Sequence, residues 1–171
     1  MTEQLDFGWV YEMTPLATFR MVTRLEHLSE EARHLDHQQH SILELREREG
    51  LFRYVAQRQL DVDTGSRRRL FSSRPLLKQT FIWQPSNWDG SRRYEALGEI
   101  SGMSVSIVGD GGVTPTGTGG TRLSISLTIT ASGRLAGRKM ETGIAESLSQ
   151  TIEAEHDFRM LALSRPGPSS F

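Results

Sequence analysis

Large apolar residues stand at Leu5, Phe7, Trp9, Tyr11 and Met13. This period of two predicts a strand with one buried, largely aromatic face. Thr14-Pro15 follows, an N-cap residue with proline at the first helical position. Leu16, Phe19, Val22 and Leu25 then recur at helical spacing, which predicts a helix running to about His27. Ser29-Glu30-Glu31 reads as the start of a second, short helix, its acidic residues suited to the positive end. Two extended runs, 42–48 and 51–62, are separated by Glu49-Gly50; in the second, Phe52, Tyr54, Ala56, Leu60 and Val62 share a face on which Arg58 is the exception. Further strands are expected at 77–84, near 92–99, near 103–108 and at 121–130. The last has the cleanest alternation, Leu123, Ile125, Leu127 and Ile129 against Ser124, Ser126, Thr128 and Thr130. Gly109-Asp110-Gly111-Gly112 and Gly117-Thr118-Gly119-Gly120 frame Pro115 and read as one long hairpin connection. The pattern closes with a long helix near 136–163, whose stripe is Met140, Ile144, Leu148 and Ile152, with Glu155 or Phe158 next in line.

Strands grouped apart from helices indicate an α+β fold. It has about six to seven antiparallel strands, one or two short helices after the first strand, and a long C-terminal helix. Only that last helix is long enough to cover the concave face of a curved sheet. Where the sheet curls further than the helix can fill, a mostly apolar cavity remains between them. Residues 1–163 are read as one domain, and 164–171, with two prolines and a glycine, as a tail that cannot continue the helix.

Composition narrows the chemistry. With 20 Lys+Arg against 21 Asp+Glu, the net charge of −1 argues against a generally basic nucleic-acid binder. The absence of cysteine removes disulfides, thiolate catalysis and cysteine-ligated metal sites. The acidic, polar N-terminus does not resemble a secretory signal, and no transmembrane segment is evident, so a cytoplasmic location is expected. The 36% hydrophobic content is modest for 171 residues, as a domain with a hollow in its core would show.

The element order, together with Phe81-Ile82-Trp83, Gly119-Gly120-Thr121-Arg122 and Leu135-Ala136-Gly137-Arg138-Lys139-Met140-Glu141, resembles the START-like superfamily, also called SRPBCC or Bet v 1-like. The nearest resemblance is to a START-like subfamily without a known activity. Its pattern has a Trp-containing middle strand, a Gly-rich hairpin ending in Gly-Thr-Arg, and a helix opening Gly-x-Lys-hydrophobic-Glu. Gly133-Arg134 stands where that subfamily usually has a proline. The resemblance implies the helix-grip fold, a curved sheet wrapped around the C-terminal helix. It also implies a hydrophobic or amphipathic ligand that is lipid-, polyketide- or isoprenoid-like. The alternatives are a cyclase- or dehydratase-type enzyme using the same pocket, and a protein-interaction module without ligand. No cofactor is implied.

The candidate ligand-binding residues are Trp9, Tyr11, Trp83, Leu123, Ile125, Ile144, Leu148 and Ile152 as wall, and Glu155 as the polar group that orients the ligand. No catalytic residue is assigned, because Gly-x-Ser-x-Gly, Ser-x-x-Lys and His-Glu-x-x-His are all missing. The glycine runs fit neither a dinucleotide fingerprint nor a P-loop. His34, His37 and His40 step by three, a spacing that could gather imidazoles for zinc or nickel. Three such steps also drift around a helix, and the simpler reading is a polar helix exit with no metal. Arg67-Arg68-Arg69 and Arg74 around Leu70-Phe71 read as a solvated loop or a protein contact, not a nucleic-acid site. Arg46, Arg48, Arg53 and Arg58 are expected to pair across strands with neighbouring acids. Trp88, in Asn87-Trp88-Asp89-Gly90, is expected at a hairpin tip.

Overall fold

The computed structural model describes residues 2–36, 39–60, 75–132 and 135–165, leaving aside the side chains of 135–137. His37, the basic stretch Arg67-Arg68-Arg69 with Arg74, and the tail from 166 onward lie outside the described residues.

Among the described residues, seven strands form one antiparallel sheet: β1 (Thr2–Tyr11), β2 (Ser41–Arg48), β3 (Leu51–Gln59), β4 (Leu76–Trp83), β5 (Arg92–Ile100), β6 (Val105–Pro115) and β7 (Thr121–Ala131). Their spatial order is β1-β7-β6-β5-β4-β3-β2. The first two strands are therefore at opposite edges, and the chain between them must cross the sheet. It does so as two short helices, α1 (Pro15–Thr23) and α2 (Leu25–His34). The long helix α3 (Leu135–Ser164) lies on the same face, against β7 and β1. Alternation places Tyr11, Phe52, Leu77, Trp83, Tyr94, Ile107, Leu123 and Ile129 on the inner face, where they join Ile144, Leu148 and Ile152 of α3 in the core.

Helix α1 starts as expected: Thr14 is extended, and its Oγ1 accepts the backbone N–H of Ala17 at 3.2 Å. The second helix differs from expectation. Arg24 is extended and separates the two helices, so α2 begins at Leu25 and Glu31 lies well inside it, buried. The signal read at Ser29 was one of acidic composition, whereas the break is set by a single extended residue.

The first glycine run also differs. Residues 109–112 continue β6, in unbroken register with β5 and β7, and only the segment after Pro115 turns. A Cβ on Gly109 would sit 2.2 Å from the Ser126 carbonyl oxygen, and one on Gly111 would sit 2.1 Å from that of Ser124. These glycines let two backbones approach within a strand pair. At the level of sequence they look like a loop, because glycine serves both purposes.

Two of the residues that carried the resemblance are fasteners. Thr121 is fully buried and donates its hydroxyl to the Met13 carbonyl at 2.7 Å, tying the start of β7 to the segment between β1 and α1. Glu141, also buried, accepts the Ala131 N–H at 2.7 Å and fixes α3 to the end of β7.

Candidate functional site

Because α3 rests on β1 and β7, the middle strands curve away from it. A cavity of about 110 Å³ remains between α3, α2 and the inner face of β3–β7. Its wall is aromatic along β3–β5: Tyr54 stacks on Phe81 (4.8 Å between centroids, 6° between planes), and Trp83 packs against Tyr94 at 4.5 Å. Aliphatic side chains complete it, among them Leu77, Ile107, Leu127 and Leu148. Six of the expected wall and orienting residues face this space: Trp83, Leu123, Ile125, Leu148, Ile152 and Glu155.

Trp9, Tyr11 and Ile144 do not line it. Trp9 stacks on His156 of α3 (4.5 Å, 10°), and the Tyr11 hydroxyl is 2.7 Å from His156 Nδ1. Both lie where β1 meets the helix directly, while Ile144 is fully buried in the core one helical turn before Leu148. Alternation identifies which face of a strand is inward. It does not show which part of that face the helix touches.

One end of the cavity is charged. Arg159 of α3 donates from Nε to Glu31 Oε2 at 2.8 Å and from Nη2 to Glu31 Oε1 at 3.0 Å, a two-pronged pairing of two buried side chains. Glu155 lies one helical turn before Arg159, its Oε2 3.5 Å from Arg159 Nη2 and its Oε1 3.8 Å from Arg58 Nη1. Arg58, the in-phase exception on β3, is thus buried at the cavity and faces α3. The expected pairing across strands holds for Arg53 with Glu44 and not for Arg58. Glu31 and Arg159 were not expected here. The sequence pattern puts Glu31 at a helix start, and Arg159 follows Phe158 with no apolar phase to mark it.

The electrostatics follow from burial. Desolvation, reinforced by the Glu155 charge, pushes the Glu31 carboxyl up to about 7 against the pull of Arg159. Burial opposes the charge on Arg159, but Glu31 and Glu155 more than offset this and hold it above its usual value. Within the pair, the guanidinium keeps its charge and Glu31 is the member that takes a proton. Burial raises the Tyr54 phenol, as do the Glu155 and Glu31 charges, so it stays neutral. Two buried donors at the cavity wall, Arg58 Nε and Trp83 Nε1, have no hydrogen-bond partner among the described residues.

His34 packs on Phe158 at 4.9 Å, whereas His40 lines the cavity. Among the described residues, no group of three His, Asp or Glu is placed to hold a metal ion. Trp88 is 99% exposed in the turn between β4 and β5. Among the described residues, no helix is long and apolar enough to cross a membrane.

Solved structures of other proteins share this architecture. The Zhui aromatase/cyclase from Streptomyces sp. R1128 superposes with a TM-score of 0.63 at 10% identity, covering 99% of each chain. Norcoclaurine synthase from Thalictrum flavum gives 0.58 at 12% identity, covering 96% of this chain and 88% of that one. The human StarD13 lipid transfer and protein localization domain gives 0.54 at 17% identity, covering 89% and 74%. At these identities the likeness is one of fold, and the fold is START-like (SRPBCC). No curated protein matches in sequence. Residues 8–160 match the protein family of unknown function DUF2505, and the chain belongs to that family.

Proposed function

We propose that the protein binds a small amphipathic molecule in the cavity between the sheet and α3, with its apolar body on the aromatic wall and its polar end toward Arg58 and Glu155. The observation that carries this reading is the cavity itself: an aromatic and aliphatic wall ending in buried charged groups, with two buried donors that have no partner among the described residues. Hydrophobic ligand binding is a recurrent use of this fold, and the lipid transfer domain among the similar structures supports it by analogy. The volume of about 110 Å³ is below the roughly 300–1,000 Å³ of typical drug-sized sites. This favours a compact ligand over a long lipid or polyketide chain. Both oxygens of Glu31 are committed to Arg159, which argues for binding over acid–base catalysis in the same pocket.

The test is native mass spectrometry of protein purified from its own cells, alongside Ala96→Phe, which fills the cavity from β5. The reading expects a co-purifying small molecule, or saturable binding of the neutral probe indole, in the native protein and in neither case in Ala96→Phe. A clean apo mass with no indole binding rules it out.

A further inference from the structure

We infer that the ligand is a compact, flat carboxylic acid, its carboxylate held by Arg58. This rests on the cavity-binding reading above and names the class of molecule the site would take.

The first argument is the state of Arg58. Its side chain is 7% exposed, it lines the cavity, and among the described residues its Nε–H has no partner. A buried donor left without an acceptor is destabilising, and more so when the group is charged. Its ion pair with Glu155 is long at 3.8 Å and involves Nη1, so it does not use Nε. Arg159, by contrast, spends Nε and Nη2 on both oxygens of Glu31. Two arginines face the same charged end of the cavity, and only one has a carboxylate on its fork. An incoming carboxylate would give Arg58 the arrangement Arg159 already has, since a guanidinium edge matches the two oxygens of a carboxylate.

Charge balance points the same way. Glu155 is shared between Arg159 at 3.5 Å and Arg58 at 3.8 Å, neither of them a close contact. It neutralises the region without filling the donor geometry of Arg58. A cationic ligand would meet two guanidinium groups here. A neutral ligand could offer an acceptor, but it would gain only a single, uncharged bond.

The wall describes the rest of the molecule. The Tyr54–Phe81 stack, nearly parallel at 6°, and the adjacent Tyr94 and Trp83 present flat surfaces. Such surfaces favour an offset-stacked ring over a flexible chain. The small volume limits the body to one or two fused rings.

Three matched probes test this: indole-2-carboxylate, indole-2-carboxamide and indole, titrated by NMR while following the Trp83 Nε1–H and Arg58 Nε–H signals. The expected result is a carboxylate bound at least about tenfold more tightly than the carboxamide, with a shift of the Arg58 Nε–H. Arg58→Gln removes that preference, so that the acid binds no more tightly than the carboxamide. Glu155→Gln removes the competing carboxylate and strengthens binding of the acid, so the idea can still be tested if Arg58→Gln does not fold. Equal affinities for acid and amide, or a preference that survives Arg58→Gln, overturn the inference while cavity binding stands. Absence of binding by all three overturns both.

Discussion

Arg159 near the end of α3 holds both carboxylate oxygens of Glu31 in α2, at 2.8 and 3.0 Å, with both side chains buried. The pair is a bolt between the helix that covers the sheet and the short helix that crosses from one sheet edge to the other. It also closes the charged end of the cavity, so a change here is felt in both stability and binding.

Removing Glu31 leaves the Arg159 charge buried without its close partner, which typically costs about 3–5 kcal/mol. Glu31→Leu should therefore lower stability in urea unfolding by roughly that amount. Arg159→Met combined with Glu31→Leu should cost clearly less than the sum of the two single changes. A single-variant loss below about 1 kcal/mol would show that the pair is not bolting the helices.

Glu31 has a definite pH signature. Its carboxyl is raised from the usual 4.5 to about 7, so between these values the native state binds more protons than the unfolded chain. Stability contributed by this group is fully present below 4.5 and is lost as pH rises through about 7. Comparing urea midpoints at about pH 5 and about pH 8, the native protein should lose stability relative to Glu31→Gln. Parallel pH profiles for the two proteins would refute the assignment.

The glycines of β6 should be intolerant of side chains. Gly111→Ala places its methyl against the Ser124 carbonyl and the Tyr94 ring, and Gly109→Ala against the Ser126 carbonyl. Because the obstruction is backbone, the cost should reach or exceed the roughly 1–3 kcal/mol of ordinary overpacking. Gly117→Ala is the control: nothing lies within 4 Å of its added Cβ, and its effect should stay within about 0.5 kcal/mol. Thermal unfolding of the three variants decides between strand and loop behaviour.

His156 should titrate below its usual 6.5, because burial against Trp9 and Tyr11 disfavours the imidazolium despite nearby Asp157. A depressed histidine contributes stability that is present above 6.5 and lost as pH falls through its folded value. An NMR titration of the ring protons measures the midpoint, and a value above 6.5 would contradict the packing. Tyr11→Phe removes the hydroxyl 2.7 Å from Nδ1 and should cost about 0.5–1.5 kcal/mol, the usual net worth of one hydrogen bond.

What could be read from the chain alone follows from local periodicity. Alternation at Leu123–Thr130 and at Leu5–Met13 identified inner faces, and Thr14-Pro15 marked a helix start, because each depends only on neighbours in sequence. Element order and the hairpin and helix-opening motifs were enough for the fold, since Thr121 and Glu141 act at fixed points of the chain. Arg58 carried a sequence signal as a charge in phase with an apolar face, although its partner did not. Glu155 is 97 positions away, and nothing local says that a strand and the last helix will face each other across a hollow. Glu31 and Arg159 are separated by 128 positions and meet for the same reason. Tertiary structure alone decided which inward residues form cavity wall and which, like Trp9, Tyr11 and Ile144, are packed where β1 and the core meet α3. Facing inward is a property of a strand's pleat, whereas lining a cavity depends on where a rigid helix stops touching a curved sheet.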